Sequence, residues 1–191
     1  MDPIEPQINE IILKQNSEWL YFFRPHRVVK IHEPDEVIPA LQEIEDLIND
    51  NEWHAAGFLS YEAAPAFDKA LITHTSTSLL DEHSSLRSVR EDFPILWIGL
   101  YSAPRLISLP KPASPKPALN WSPTVPRDTY NAAIDKIKDH IASGRTYQVN
   151  YTMRLKADFN TDPWNFFLHL AQTQNNHAAY IDTGRYAIAS A

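Results

Sequence analysis

Across residues 103–126, seven of 24 positions are proline. Proline fixes φ near about −65° and brings no backbone N–H, so such a stretch serves neither as a helix interior nor as a central strand. It runs semi-extended and is expected to divide the chain into an earlier and a later length. The fold must then be assembled from a leading length ending near residue 109 and a later length beginning near 127, with a crossing over 110–126.

Composition says that both lengths can be globular. The apolar fraction is 43% and there are five tryptophans, enough for a packed core. A net charge of −7 with no basic run opposes nucleic-acid binding. With no cysteine, disulfides, thiolate nucleophiles and cysteine-based zinc sites are excluded. The N-terminus is acidic and lacks the basic start of a secretory signal. The apolar runs, PILWIGLY among them, fall well short of the roughly 20 residues that cross a bilayer. No membrane association is expected, and a cytoplasmic location is.

The leading length gives no firm assignment for residues 1–17. Residues 19–23 and 28–31 are short β-rich runs on either side of Arg24-Pro25-His26. From Pro34 onward, Val37, Ile38, Leu41, Ile44, Leu47 and Ile48 recur at three and four, which predicts an amphipathic helix with Pro39 in its first turn. Residues 54–61 (HAAGFLSY) and 95–101 (ILWIGLY) read as buried strands, and Gly57 inside the first signals a close backbone approach. Residues 73–92, rich in Ser, Thr and His, read as a surface excursion.

The later length opens with a helix capped by Asp128 or Thr129. Tyr130, Ile134, Ile137 and Ile141 form its apolar stripe and Gly144 stops it. Residues 146–155 alternate strictly, which predicts a strand. Tyr147, Val149, Tyr151, Met153 and Leu155 face one way; Thr146, Gln148, Asn150, Thr152 and Arg154 face the other. A helix from Asp162-Pro163 and a hairpin around Asp182-Thr183-Gly184 complete the chain.

Gln148, Asn150, Thr152 and Arg154 present amide, hydroxyl and guanidinium groups at regular spacing. The pattern alone fits either a cleft wall for a polar, anionic ligand or a solvated sheet face. The eight histidines are scattered, without metal-ligand spacing. Ser60 lacks a nucleophile-elbow context, there is no P-loop, and four glycines do not make a dinucleotide fingerprint. Glu62, beside a buried strand, is a lone candidate acid.

Residues 144–155 (GRTYQVNYTMRL) resemble the G-x-x-Y-Q-V-N-x-T-x-R-L strand of aminodeoxychorismate synthase component I, a chorismate-utilising enzyme. Residues 57–68 (GFLSYEAAPAFD), 96–101 (LWIGLY), and 178–182 with 188–190 match further blocks of that family in order. The resemblance spans roughly residues 19–191. It implies an α+β fold, an incomplete sandwich of mainly antiparallel sheet with helices: residues 1–109 as a leading layer, 110–126 as the crossing, and 127–191 as the truncated start of a chorismate-binding domain. It also implies amination of chorismate at C4 to 4-amino-4-deoxychorismate, on the route to para-aminobenzoate and folate. In the family this chain resembles, Mg2+ holds the substrate, a glutamine amidotransferase subunit supplies ammonia, and an aminodeoxychorismate lyase acts next, separate or fused. The same is expected of the complete enzyme here.

Relatives that add water to chorismate carry a lysine base where Gln148 stands. Ammonia is already a nucleophile and needs none, so Gln148 favours amination. Gln148, Asn150 and Thr152 are the substrate-binding candidates. The family's Ser-Pro-Glu acid, Pro-Ile-Lys-Gly-Thr lysine motif and magnesium glutamates have no counterpart in this sequence. The chain therefore reads as an N-terminal piece, expected to be inactive alone. Asn176, His177 and Ala178 replace the proline and aromatic of the tryptophan-binding segment of regulated relatives, so feedback control is not expected. The alternatives are an anthranilate synthase component I fragment, from which the 57–68 block argues away, and a non-catalytic binding module.

Overall fold

The computed structural model describes residues 4–73, 93–174 and 177–191. Most of the expected surface excursion at 73–92, and Asn176, lie outside the described residues. The chain forms two compact units, one of residues 1–114 with 163–191 and the other of 115–162. This differs from a division at the 110–126 crossing: residues 163–191 pack with the leading length.

The larger unit holds two antiparallel sheets. Strands β1 (Ile11–Gln15), β2 (Glu18–Phe22), β6 (Arg105–Ile107), β9 (Ala178–Asp182) and β10 (Ala187–Ser190) form one, in the order β10-β9-β1-β2-β6. Strands β3 (Arg27–Ile31), β4 (His54–Leu59) and β5 (Leu96–Tyr101) form the other, in the order β3-β5-β4. Helix α1 (Pro34–Asn51) and a 3-10 turn at Tyr61–Ala66 cover the outer face of the three-stranded sheet. A later helix, Pro163–Ala171, covers the outer face of the five-stranded one. The fold class is α+β, as expected.

Period-two alternation sorts the side chains into three cores. From β1, Ile11 and Leu13 face the inter-sheet core, while Ile12 meets the covering helix through Phe167 and Leu168. From β5, Trp97 and Tyr101 enter the inter-sheet core, while Leu96 and Leu100 meet Val37 and Ile44 of α1. The glycine positions serve this packing. A Cβ on Gly57 would strike the Trp97 carbonyl oxygen and lie 2.7 Å from the Ile98 Cα, and one on Gly99 would strike the Tyr101 ring. The space Gly99 leaves is filled by that ring, whose hydroxyl donates to the Asn9 carbonyl at 2.8 Å.

Strand β1, in a region without a firm sequence assignment, is the central strand. It pairs with β2 across a tight turn and with β9 about as far along the chain as the sequence allows, Ile11 opposite Ile181. Its apolar run is only Ile11-Ile12-Leu13, too short to tell strand from buried helix by period. The runs around Arg24-Pro25 do not pair with each other: β2 and β3 belong to different sheets. Arg24 takes φ of 49°, and this left-handed corner redirects the chain from one sheet to the other. Pro39 lies in the second turn of α1, not the first, because the helix starts at Pro34 and runs through it. Within the proline-rich stretch, β6 and a two-residue strand at Ser122–Pro123 both lie at sheet edges, where proline is tolerated.

At the mouth of β1 lies a buried carboxylate. Glu10, 5% exposed, accepts the Gln7 N–H at 2.8 Å, the Arg24 N–H at 3.2 Å and the Tyr21 hydroxyl. Burial, then the hydrogen bond to Glu10 and its charge, push the Tyr21 hydroxyl's pKa above its ordinary value. Tyr101 is raised in the same way, by burial first and the Glu10 charge second.

Gly57→Ala must move β4 away from β5 and is expected to cost about 2 kcal/mol or more, read as a lower thermal midpoint. Both tyrosines hold their protons more tightly folded than unfolded. Their contribution to stability is therefore undiminished below the unfolded tyrosine pKa of about 10 and is lost as pH rises above it. Denaturant titrations between neutral and alkaline pH should show that decline, shallower in Tyr21→Phe.

Candidate functional site

The candidate residues Gln148, Asn150 and Thr152 lie in the smaller unit. That unit is framed by a two-residue ladder, β7 (Ser122–Pro123) against β8 (Leu155–Lys156), with Ser122 opposite Lys156. Thr124 extends the ladder by donating its N–H and its hydroxyl to the Arg154 carbonyl at 2.9 and 3.0 Å.

Helix α2 (Arg127–Ala142) follows β7. Neither Asp128 nor Thr129 caps it; the N-cap is Pro126 without a side-chain bond, and Asp128 sits in the first turn, where its charge suits the helix dipole. The C-terminus is as expected. The Gly144 N–H bonds the Ile141 carbonyl at 3.0 Å and the Arg145 N–H bonds the His140 carbonyl at 2.9 Å. This paired arrangement needs the left-handed φ of 73° that Gly144 supplies. The stripe is less covered than its period suggests. No residue of α2 is buried, Ile134 and Ile137 are half-buried, and Ile141 is exposed.

Residues 146–154 are not a strand. Only Leu155–Lys156 pairs, and Tyr147 is 91% exposed on what the alternation marks as the inner face. Alternation specifies which side chains share a face, but a strand also needs a neighbour for its N–H and C=O groups. Within this unit, β7 offers a neighbour for two residues only.

The polar set is nevertheless ordered locally. The Thr146 hydroxyl donates to the Gln148 carbonyl at 3.0 Å, and the Gln148 side-chain amide donates to Asn150 Oδ1 at 3.3 Å. On the other side Tyr151 meets Tyr130 of α2 edge to face, with ring centroids 5.5 Å apart. Gln148, Asn150 and Thr152 are exposed, so their remaining hydrogen-bonding capacity faces water. The set can recognise a polar ligand; it has no buried base or nucleophile.

The other candidates do not join it. Glu62 is exposed and accepts the Ser60 hydroxyl at 2.8 Å. Among the described residues no three His, Asp or Glu side chains group closely enough to hold a metal ion. The described carboxylates therefore do not fit the magnesium site that the resemblance implies. A groove of about 570 Å3 in the larger unit is lined by Lys14, Trp19, Ile107, Leu109, Lys111 and Leu168, among others. Its Lys14 ammonium already donates to the Gln174 carbonyl at 2.8 Å and lies 5.4 Å from the Trp19 ring centroid. No described helix is long and apolar enough to cross a membrane.

A protein-family model described as chorismate binding enzyme matches residues 10–191. The chain belongs to the chorismate-binding enzyme family. Comparison with curated proteins finds no match, and neither does comparison with solved structures. The family match covers both compact units, from the start of β1 through β10. It includes the segment bearing Gln148, Asn150 and Thr152, which makes chorismate the substrate to consider for this chemistry.

Because Gln148 and Asn150 are exposed and bonded mainly to each other, Gln148→Ala and Asn150→Ala should change stability by less than about 0.5 kcal/mol. Equal thermal midpoints would license reading any change in ligand binding as local to these side chains.

Proposed function

We propose that this chorismate-binding protein belongs to the aminating branch of its family. In this reading it carries part of the site at which ammonia replaces the C4 hydroxyl of chorismate, giving 4-amino-4-deoxychorismate. The observation that carries the reading is the residue at position 148. It is an amide, and it donates to Asn150. An amide cannot take a proton from water, so hydration at this position lacks its base. It can hold or orient a ligand that is already nucleophilic, as free ammonia is, or a polar group of the substrate.

Asn150 and Thr152 supply the remaining donors and acceptors for an anionic, hydroxylated ring. Ammonia from a glutamine amidotransferase subunit and a downstream lyase complete the proposed chemistry, which in the family this chain resembles also uses magnesium. The acid and metal ligands it requires are not supplied by the residues described. Amination at C2, as in anthranilate synthase component I, is the second reading. The 57–68 block favours the first.

Product identity tests the proposal. Protein, or an assembly containing it, is supplied with chorismate, ammonium and magnesium. Aminodeoxychorismate supports the C4 reading, anthranilate transfers the assignment to C2, and isochorismate rules out amination. Binding is read separately by titrating chorismate against the side-chain amide resonances of Gln148 and Asn150. Shifts that saturate, and that weaken severalfold in Gln148→Ala, are expected. Unshifted amides at millimolar chorismate would count against a role for Gln148.

A further inference from the structure

The covalent entrance to the smaller unit is fastened by two side chains of one helix, Asn165 above all. The chain passes into residues 115–162 after Ser114 and leaves before Pro163. Asn165, two residues past that return, is 4% exposed. Its Oδ1 accepts the Ala113 N–H at 2.8 Å and the Ser114 N–H at 3.2 Å. Its Nδ2 reaches the Ser114 hydroxyl at 2.7 Å. Two backbone donors converging on one atom require it to be the oxygen, which fixes the amide's orientation. His169, one turn on, places Nε2 2.8 Å from the Ser114 carbonyl. The last residues before the smaller unit and the first helical turn after it are thus knotted together on the larger unit's side of both junctions.

Burial differs sharply on the two sides of this knot. Trp164, Phe167 and Leu168, the neighbours of Asn165 on helix α3 (Pro163–Ala171), are core residues. No described residue from 115 to 162 is buried. Regions with little buried apolar surface open locally at low free-energy cost, whereas core strands open only with the whole fold. Both junctions, Ser114-Pro115 and Asp162-Pro163, end on proline.

We propose that Asn165 is a latch at the boundary between two separately opening parts of this protein. Residues 115–162 open and reclose as one local unit, and the latch keeps Ala113 and Ser114 with the larger unit while they do. The two ends of the smaller unit then stay together through each opening. Reclosure is the closing of a loop whose ends are already held, without the entropy of bringing them together again.

Amide hydrogen exchange of the 191-residue chain, resolved by residue, tests this. The Ile134 and Ile137 amides of α2 should exchange at least about 100-fold faster, relative to their unstructured rates, than those of Ile12 and Trp97. Ala113 and Ser114 should be better protected than α2. Asn165→Ala should lower protection at Ala113 and Ser114 by about tenfold, the scale of a hydrogen bond's net contribution, with Ile12 and Trp97 unchanged. Asn165→Asp keeps an acceptor for both N–H groups and should retain most of that protection. If α2 exchanges as slowly as Trp97, or if Ala113 and Ser114 are no better protected than α2, the proposal fails. These comparisons on the unaltered chain decide it even where Asn165→Ala does not fold.

Discussion

A buried carboxylate at the mouth of β1 holds the larger unit in register. Glu10 gathers the Gln7 and Arg24 backbone N–H groups and the Tyr21 hydroxyl, while its own carbonyl accepts the Asp182 N–H at 3.3 Å. The preceding residue, Asn9, donates its N–H to the Asp182 carbonyl at 2.6 Å and accepts from the Tyr101 hydroxyl. Two adjacent residues thus tie the start of β1 to the ends of β2, β5 and β9. A charge removed from water is tolerated only where its oxygens are bonded, so the carboxylate fixes those groups around it. Any register slip of β1 against β2 or β9 breaks the set. That specificity adds to that of the apolar cores, since a one-residue slip would turn each side chain of β1 to the opposite face.

Everything around this point is packing. The inter-sheet core places Trp97 and Tyr101 of β5 with Ile11, Phe22 and Ile181 of the facing sheet. The absence of side chains at Gly57 and Gly99 lets strand and ring approach where they must. The smaller unit is built on another basis. It has short-range bonds, a well-formed helix end at Gly144 and a two-residue ladder, but no core of its own among the described residues. Its functional candidates accordingly face water, ordered by their neighbours in sequence rather than by a fold closing over them.

How each element reads from sequence depends on the kind of signal it carries. Helix α1 and strand β5 are legible because their periodicity is long or their apolar run continuous. Strand β4 forms where its run lies, but it is an edge strand with only Ala56 buried, not the buried strand its sequence suggests. The β9–β10 hairpin is legible from Asp182-Thr183-Gly184, where Gly184 takes φ of 80° and its N–H bonds Asp182 Oδ1 at 2.7 Å. Strand β1 is not legible, because three apolar residues carry no period. Its centrality comes from pairing with a strand more than 160 residues away. The alternation at 146–155 is real as a pattern and misleading as a strand, since pattern says nothing about whether a partner exists. The Asn165 latch has no sequence signature: a lone asparagine near the start of a helix is common, and only its placement beside Ser114 gives it a role.

Family membership and the identity of the residue at position 148 belong to the sequence alone. A run such as GRTYQVNYTMRL is specific as a string of side chains, and the amide at position 148 is a chemical fact in any conformation. Tertiary structure alone decided that residues 163–191 return to complete the sheet begun by β1, that Glu10 is buried and bonded, and that Gln148 and Asn150 are exposed and joined to each other. The physical reason is the range of the interactions. Periodicity, turns and caps are set by neighbours along the chain, whereas strand pairing, burial and the satisfaction of a buried charge depend on groups that only folding brings together.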